Sequence, residues 1–139
     1  MNLPTHILVP TDFSPTADEA LDYAIVLAAK LGASITVVHA YDVAAVSGAH
    51  VRANAQSALD AALAKRQGAG VSLKSLLKSG NPLDTIPDVA REIGAELIVM
   101  GTHGRQGIAR MLLGSVAERV VRTAPCPVLT VAPADPDEA

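Results

Sequence analysis

The chain has 139 residues, enough for one compact domain with its own core, and a single domain across 1–139 is expected. Half of it is hydrophobic but only 2% is aromatic, so Ala, Val, Leu and Ile must build the core, as where helices pack closely on β-branched strands. A net charge of −3, with 11 Lys and Arg against 14 Asp and Glu, excludes the broad basic surface of sequence-independent nucleic-acid binding, while leaving room for a small anion in a local pocket.

In chain order, His6 to Pro10 is a short apolar run ended by proline and predicts a buried strand. After Thr11-Asp12-Phe13, Ser14 is a good N-cap with Pro15 at the first helical position. Ala17, Leu21, Ala24, Ala28 and Leu31 then keep helical spacing to a stop at Gly32. Ser34 to Tyr41 predicts a second strand, 42–50 a loop, and Val51 to Arg66 an Ala-rich helix closed by Gly68 and Gly70. Val71 to Leu77 predicts a third strand whose imperfect alternation suits a sheet edge. Asn81 and Pro82 open a third helix with Leu83, Ile86, Val89, Ala90 and Ile93 as its buried stripe. Pro87 inside that stripe removes a backbone hydrogen bond and is expected to kink the helix.

Leu97-Ile98-Val99-Met100 is a continuous apolar run, the pattern of a strand covered on both faces. A glycine-bearing segment at 101–113 leads to a helix from Ser115 to Thr123, and Val128 to Val131 is the last strand. The acidic tail at 133–139 is expected to fray. Five strands alternating with four helices predict a doubly wound parallel sheet with helices on both faces. Ligands of such sheets sit outside the carboxyl ends of the strands, where the winding reverses.

The lone Cys126 forms no intrachain disulfide and reads as a small buried residue at a strand entrance. Residues 1–6 lack a basic region followed by a long apolar stretch, and no apolar run approaches the roughly 18 residues of a membrane span. A cytoplasmic protein with no membrane partner is the expectation. His6 and His50 have no partner spacing for zinc.

The segment Gly101 to Ser115 carries the chemistry. Its glycines let the backbone approach a ligand, and the amides of Gly114, Ser115 and Val116 open a helix whose dipole favours an anion. Arg105 and Arg110 add positive charge. Taken alone, the glycines could equally make only a turn, and Ser115 could be an ordinary cap. There is no Gly-x-x-x-x-Gly-Lys-Ser/Thr run and no Gly-x-Gly-x-x-Gly after the first strand, which disfavours P-loop hydrolases and dinucleotide dehydrogenases.

The spacing Gly101-x2-Gly104-x9-Gly114-Ser115 resembles the nucleotide-binding signature of the ATP-binding universal stress proteins. Pro10 to Ser14, Val38-His39, Leu97 to Gly101, Ser115 to Arg119 and Pro125 to Leu129 match the same family in order, so the likeness runs from His6 to Val131. The resemblance implies an adenine nucleotide alpha hydrolase-like fold with strand order 3-2-1-4-5. It also implies ATP or another adenine nucleotide as ligand, with Mg or Mn among its phosphates. Asp12 would hold the ribose or adenine side, with Pro10, Thr11 and Ala40 lining the base pocket. Met100 and Gly101 would flank the ribose, while His103, Gly104, Gly114, Ser115 and Val116 surround the phosphates. His39 is read as a hydrogen-bonded sheet residue. The uncharged last strand, Val128 to Val131, would join a two-fold homodimer. Binding is favoured over slow ATP hydrolysis or phosphoryl transfer, because Asp12 and His103 are the only general-base candidates. A nucleotide-free dimeric interaction protein is the other alternative.

Overall fold

The computed structural model describes residues 2–42, 48–103 and 113–133, without the side chains of 48 and 49. Its elements are β1 (His6–Pro10), α1 (Pro15–Leu31), β2 (Ser34–Tyr41), α2 (Gly48–Ala64), β3 (Leu73–Ser79), α3 (Pro82–Ile93), β4 (Leu97–Gly101), α4 (Ser115–Thr123) and β5 (Val128–Val131). All five strands pair in parallel in the order β3-β2-β1-β4-β5, with β1 beside both β2 and β4. This is the doubly wound sheet that the alternation predicts.

Strand alternation divides the core into two layers. Ile7, Val9, Ile35, Val37 and Val99 meet Leu21, Ala24 and Ala28 of α1 and Leu59 and Leu63 of α2. On the other face, Leu8, Val38, Ile98 and Met100 meet Ile86, Val89 and Ala90 of α3 and Ala117 and Val120 of α4. The alanines let the helices lie close, which is how a chain with so few aromatics fills its interior. Leu21, Ile35, Leu59 and Ile98 are essentially inaccessible, and burying each contributes about 1.5–3 kcal/mol.

Two elements depart from expectation. β3 runs from Leu73 to Ser79, two residues later than its apolar pattern places it, because it pairs with β2 from Ile35 as far as Tyr41. Ladder bonding carries it through Lys78 and Ser79, which an edge position tolerates. α2 begins at Gly48 and ends at Ala64 rather than spanning 51–66. Its exit is a turn: Arg66 donates through Nη1 to the Ala62 carbonyl at 2.7 Å and through Nε to Asp22 at 2.8 Å, tying the end of α2 to α1. α3 is one continuous helix through the buried Pro87. Cys126 is half-buried against the second core layer, and desolvation pushes its thiol pKa up, which disfavours the reactive thiolate. No helix among the described residues is long and apolar enough to cross a membrane.

Candidate functional site

The winding reverses at β1, whose neighbours β2 and β4 are reached by crossovers on opposite faces of the sheet. A cavity of about 520 Å³ opens there, at the carboxyl ends of β1, β2 and β4, within the roughly 300–1,000 Å³ range of small-molecule sites. Pro10, Thr11 and Asp12 reach it from β1, Ala40 from β2, Met100, Gly101 and His103 from the end of β4, and Gly114, Ser115 and Val116 from the start of α4. Ten of the twelve predicted site residues therefore share one hollow. The other two, Gly104 and Arg105, lie outside the described residues, as does Arg110.

The floor is built by strand register. Pro10 sits beside Val38, and Thr11 donates its amide to the Val38 carbonyl at 2.8 Å. The chain then turns sharply. The Phe13 amide donates to Thr11 Oγ1 and the Ser14 amide to Asp12 Oδ1, each at 3.0 Å, and Ser14 Oγ accepts from the Ala17 amide at 3.2 Å. One Asp12 carboxylate oxygen is thereby engaged with the backbone. Phe13 at φ 66° is the described non-glycine residue with positive φ. Across the strands, His39 Nδ1 lies 2.8 Å from the Thr11 carbonyl; a carbonyl only accepts, so Nδ1 carries the proton.

The opposite part of the site is the return from β4 into α4. Thr102 donates its amide to the Val131 carbonyl of β5 at 3.0 Å, and Gly114 donates its amide to the Thr102 carbonyl at 2.6 Å, so the start of α4 is held beside the end of β4. The Thr102 hydroxyl and His103 Nδ1 form a 3.0 Å hydrogen bond. Gly114 is the N-cap of α4, at φ −70° and ψ 166°, and supplies no side-chain cap bond. The first amides of any α-helix lack an intrahelical partner, and here they belong to Ser115, Val116 and Ala117, all of which line the cavity. The positive end of the helix dipole points the same way. An ion pair from Arg119 to Asp84 at 2.8 Å and a bond from Arg91 to the Thr123 carbonyl at 2.8 Å hold α4 beside α3.

Glycine serves different purposes at the two described signature positions. A Cβ on Gly101 would lie 2.6 Å from Thr16 Cγ2, so that glycine permits the close approach of α1 to β4. The φ of Gly114 is open to any residue, so its lack of a side chain is the feature that matters at the cavity mouth.

Pro82 and Ile86 of α3, and Ala17, Val38, His39, Thr102 and Ala117, also line the hollow. Thr102 and Ala117 adjoin predicted residues and could have been included on that ground. Pro82 and Ile86 carry no local mark, because only the packing of α3 across the rim brings them in.

The chain matches the family model described as the universal stress protein family over residues 4–132. It is 36% identical over 141 residues to a universal stress protein of Methanocaldococcus jannaschii, covering 94% of this chain and 83% of that one. Among solved structures it is similar to the universal stress protein UspA from Lactobacillus plantarum, with TM-score 0.81, 31% identity and coverage of 91% and 97%. It is also similar to a universal stress protein in complex with cAMP, with TM-score 0.78, 28% identity and coverage of 94% and 98%.

Proposed function

The chain belongs to the universal stress protein family, and on that premise we propose that it binds an adenine nucleotide in the cavity between β1 and α4, with ATP as the ligand. The observation that carries this reading is that the uncapped start of α4 and the Asp12 turn share one hollow. The amides of Ser115, Val116 and Ala117 donate to phosphate oxygens, the anion that a helix N-terminus favours. Pro10, Ala40 and Met100 give the base and sugar an apolar bed, and Asp12 accepts from the ribose or adenine side. The related structure solved with cAMP supports an adenine nucleotide as the ligand class.

A Mg or Mn ion would accompany ATP at its phosphates; among the described residues, no group of three or more His, Cys, Asp or Glu is placed to hold a metal. The output is binding, as a cytoplasmic stress or signalling module; one free cysteine suits a reducing compartment. The module acts as a two-fold homodimer joined through β5, an edge strand with four half-buried, uncharged residues. Mass spectrometry of co-purifying nucleotide, followed by calorimetric titration of the stripped protein with ATP, tests the ligand. The expected result is saturable binding by wild type, and its absence overturns the reading. Turnover well above background that disappears in Asp12→Ala would convert the module into an enzyme. A monomeric mass at micromolar concentration would remove the dimer.

A further inference from the structure

We infer that His39 is a positioning residue: without being the ligand's partner, it fixes the turn that presents Asp12 to the cavity. The inference deepens the nucleotide reading and rests on it for its effect on affinity.

The sequence Thr11-Asp12-Phe13-Ser14 must turn from a buried strand into a helix within a few residues, and it does so with Phe13 at φ 66°. A bulky residue is uncommon in that region, because its Cβ crowds the carbonyl oxygen, so surrounding contacts have to hold it there. The turn's own side chains supply local bonds, from the Phe13 amide to Thr11 Oγ1 and from the Ser14 amide to Asp12 Oδ1. These bonds join neighbours within the turn. They do not fix where the turn stands relative to the sheet.

Thr11 is tied to β2 through its amide on the Val38 carbonyl, and Phe13 packs on the first core layer; His39 adds side-chain attachments at two points that bracket Asp12. Its Nδ1–H donates to the Thr11 carbonyl at 2.8 Å, on the residue before. Its ring lies 4.4 Å from the Phe13 ring, centroid to centroid and tilted by 38°, on the residue after. His39 is itself held by β2, where it pairs with Leu77 of β3. One imidazole thus ties the residues on either side of Asp12 to the neighbouring strand. The ring contact also gives the positive-φ Phe13 a surface to pack on, within the range of aromatic pairing.

Three variants separate positioning from general structure. His39→Leu removes the donor. His39→Asn retains an amide nitrogen near the place of Nδ1. Asp12→Ala removes the group being presented. Amide hydrogen exchange reads the turn without any nucleotide: exchange at Phe13 and Ser14 should accelerate in His39→Leu and slow again in His39→Asn, with unfolding temperature tracked alongside. Calorimetric titration with ATP and, separately, inorganic tripolyphosphate reads the consequence. His39→Leu should weaken ATP about tenfold, a fraction of a charged hydrogen bond, and leave tripolyphosphate unchanged. Added to Asp12→Ala, it should weaken ATP no further, because both changes remove the same contact.

Unchanged exchange at Phe13 and Ser14 in His39→Leu would overturn the inference whatever ATP does. So would equal loss of ATP and tripolyphosphate, additive losses in the double variant, or His39→Asn behaving as His39→Leu. If wild type binds neither probe while the exchange pattern appears as stated, the positioning role stands and the nucleotide reading falls.

Discussion

Two helices begin at the same rim of the sheet, and they treat their first amides in opposite ways. At α1, Ser14 Oγ accepts from Ala17, Asp12 Oδ1 accepts from Ser14, and Pro15 has no donor to satisfy. At α4, Gly114 offers no side chain to cap the first amides, and Ser115, Val116 and Ala117, which carry them, line the cavity. α3 sides with α1, since Asn81 accepts from Leu83 and Pro82 follows it. A helix start that caps itself has spent its donors on the fold, whereas one capped by glycine keeps them for something else. One side chain distinguishes the two starts, and on the proposed reading its absence at Gly114 leaves the α4 amides for phosphate.

The largest expected effect comes from making α4 resemble α1. Gly114→Asp would place a carboxylate where we assign phosphate, satisfying the amides internally and repelling the ligand. Calorimetry should show ATP affinity falling by about a hundredfold or more, the scale of losing hydrogen bonds to a charged group. Unfolding should change by only a few tenths of a kcal/mol, because Asp and Gly differ little as caps. Gly101→Ala should do the reverse. Its Cβ would meet Thr16 Cγ2 at 2.6 Å, so denaturant unfolding should show a loss of about 1–3 kcal/mol, recovered in part by adding Thr16→Ser.

Opening α1 is a smaller change. Ser14→Ala removes the bond to the Ala17 amide and should cost about 1 kcal/mol in the same assay, with less effect on ATP than Gly114→Asp. The smallest effect belongs to the far end of the sheet. Glu96 accepts from the Thr5 hydroxyl at 2.7 Å and the Thr5 amide at 2.9 Å, and these bonds, the hydroxyl's foremost, lower its pKa. A carboxylate with a depressed folded pKa stabilises above its unfolded pKa and loses that contribution as pH falls through the folded value. Acid titration of wild type should show this slight loss below the ordinary carboxylate range. Glu96→Gln should lack it, and ATP affinity at neutral pH should be the same in both.

Much of the fold was legible because local chemistry and the sheet agree. Ser14-Pro15 and Gly32 mark both ends of α1, Asn81-Pro82 and Gly94 mark both ends of α3, and the unbroken apolar run at 97–100 marks a strand covered on both faces. β3 was misplaced by two residues because its end is set by the length of β2 rather than by its own side chains. In the site, the loops after β1, β2 and β4 and the place of Asp12 were legible from position in the winding, the start of α4 from its glycine-led amides, and the other individual residues from the family resemblance. Pro82 and Ile86 were not, since a residue two crossovers away enters only through packing. The purpose of Gly101 was also hidden: sequence shows that a glycine is present, while only the 2.6 Å approach of Thr16 shows what it accommodates.

The central claim is that α4, unlike α1, keeps its first amides for a polyphosphate. Residue-resolved amide exchange, recorded with and without saturating ATP, addresses it directly. The account predicts strong new protection at Ser115, Val116 and Ala117, with little change at the α1 amide of Ala17 that Ser14 already holds. ATP bound at saturation with no protection gained at those three amides would contradict it.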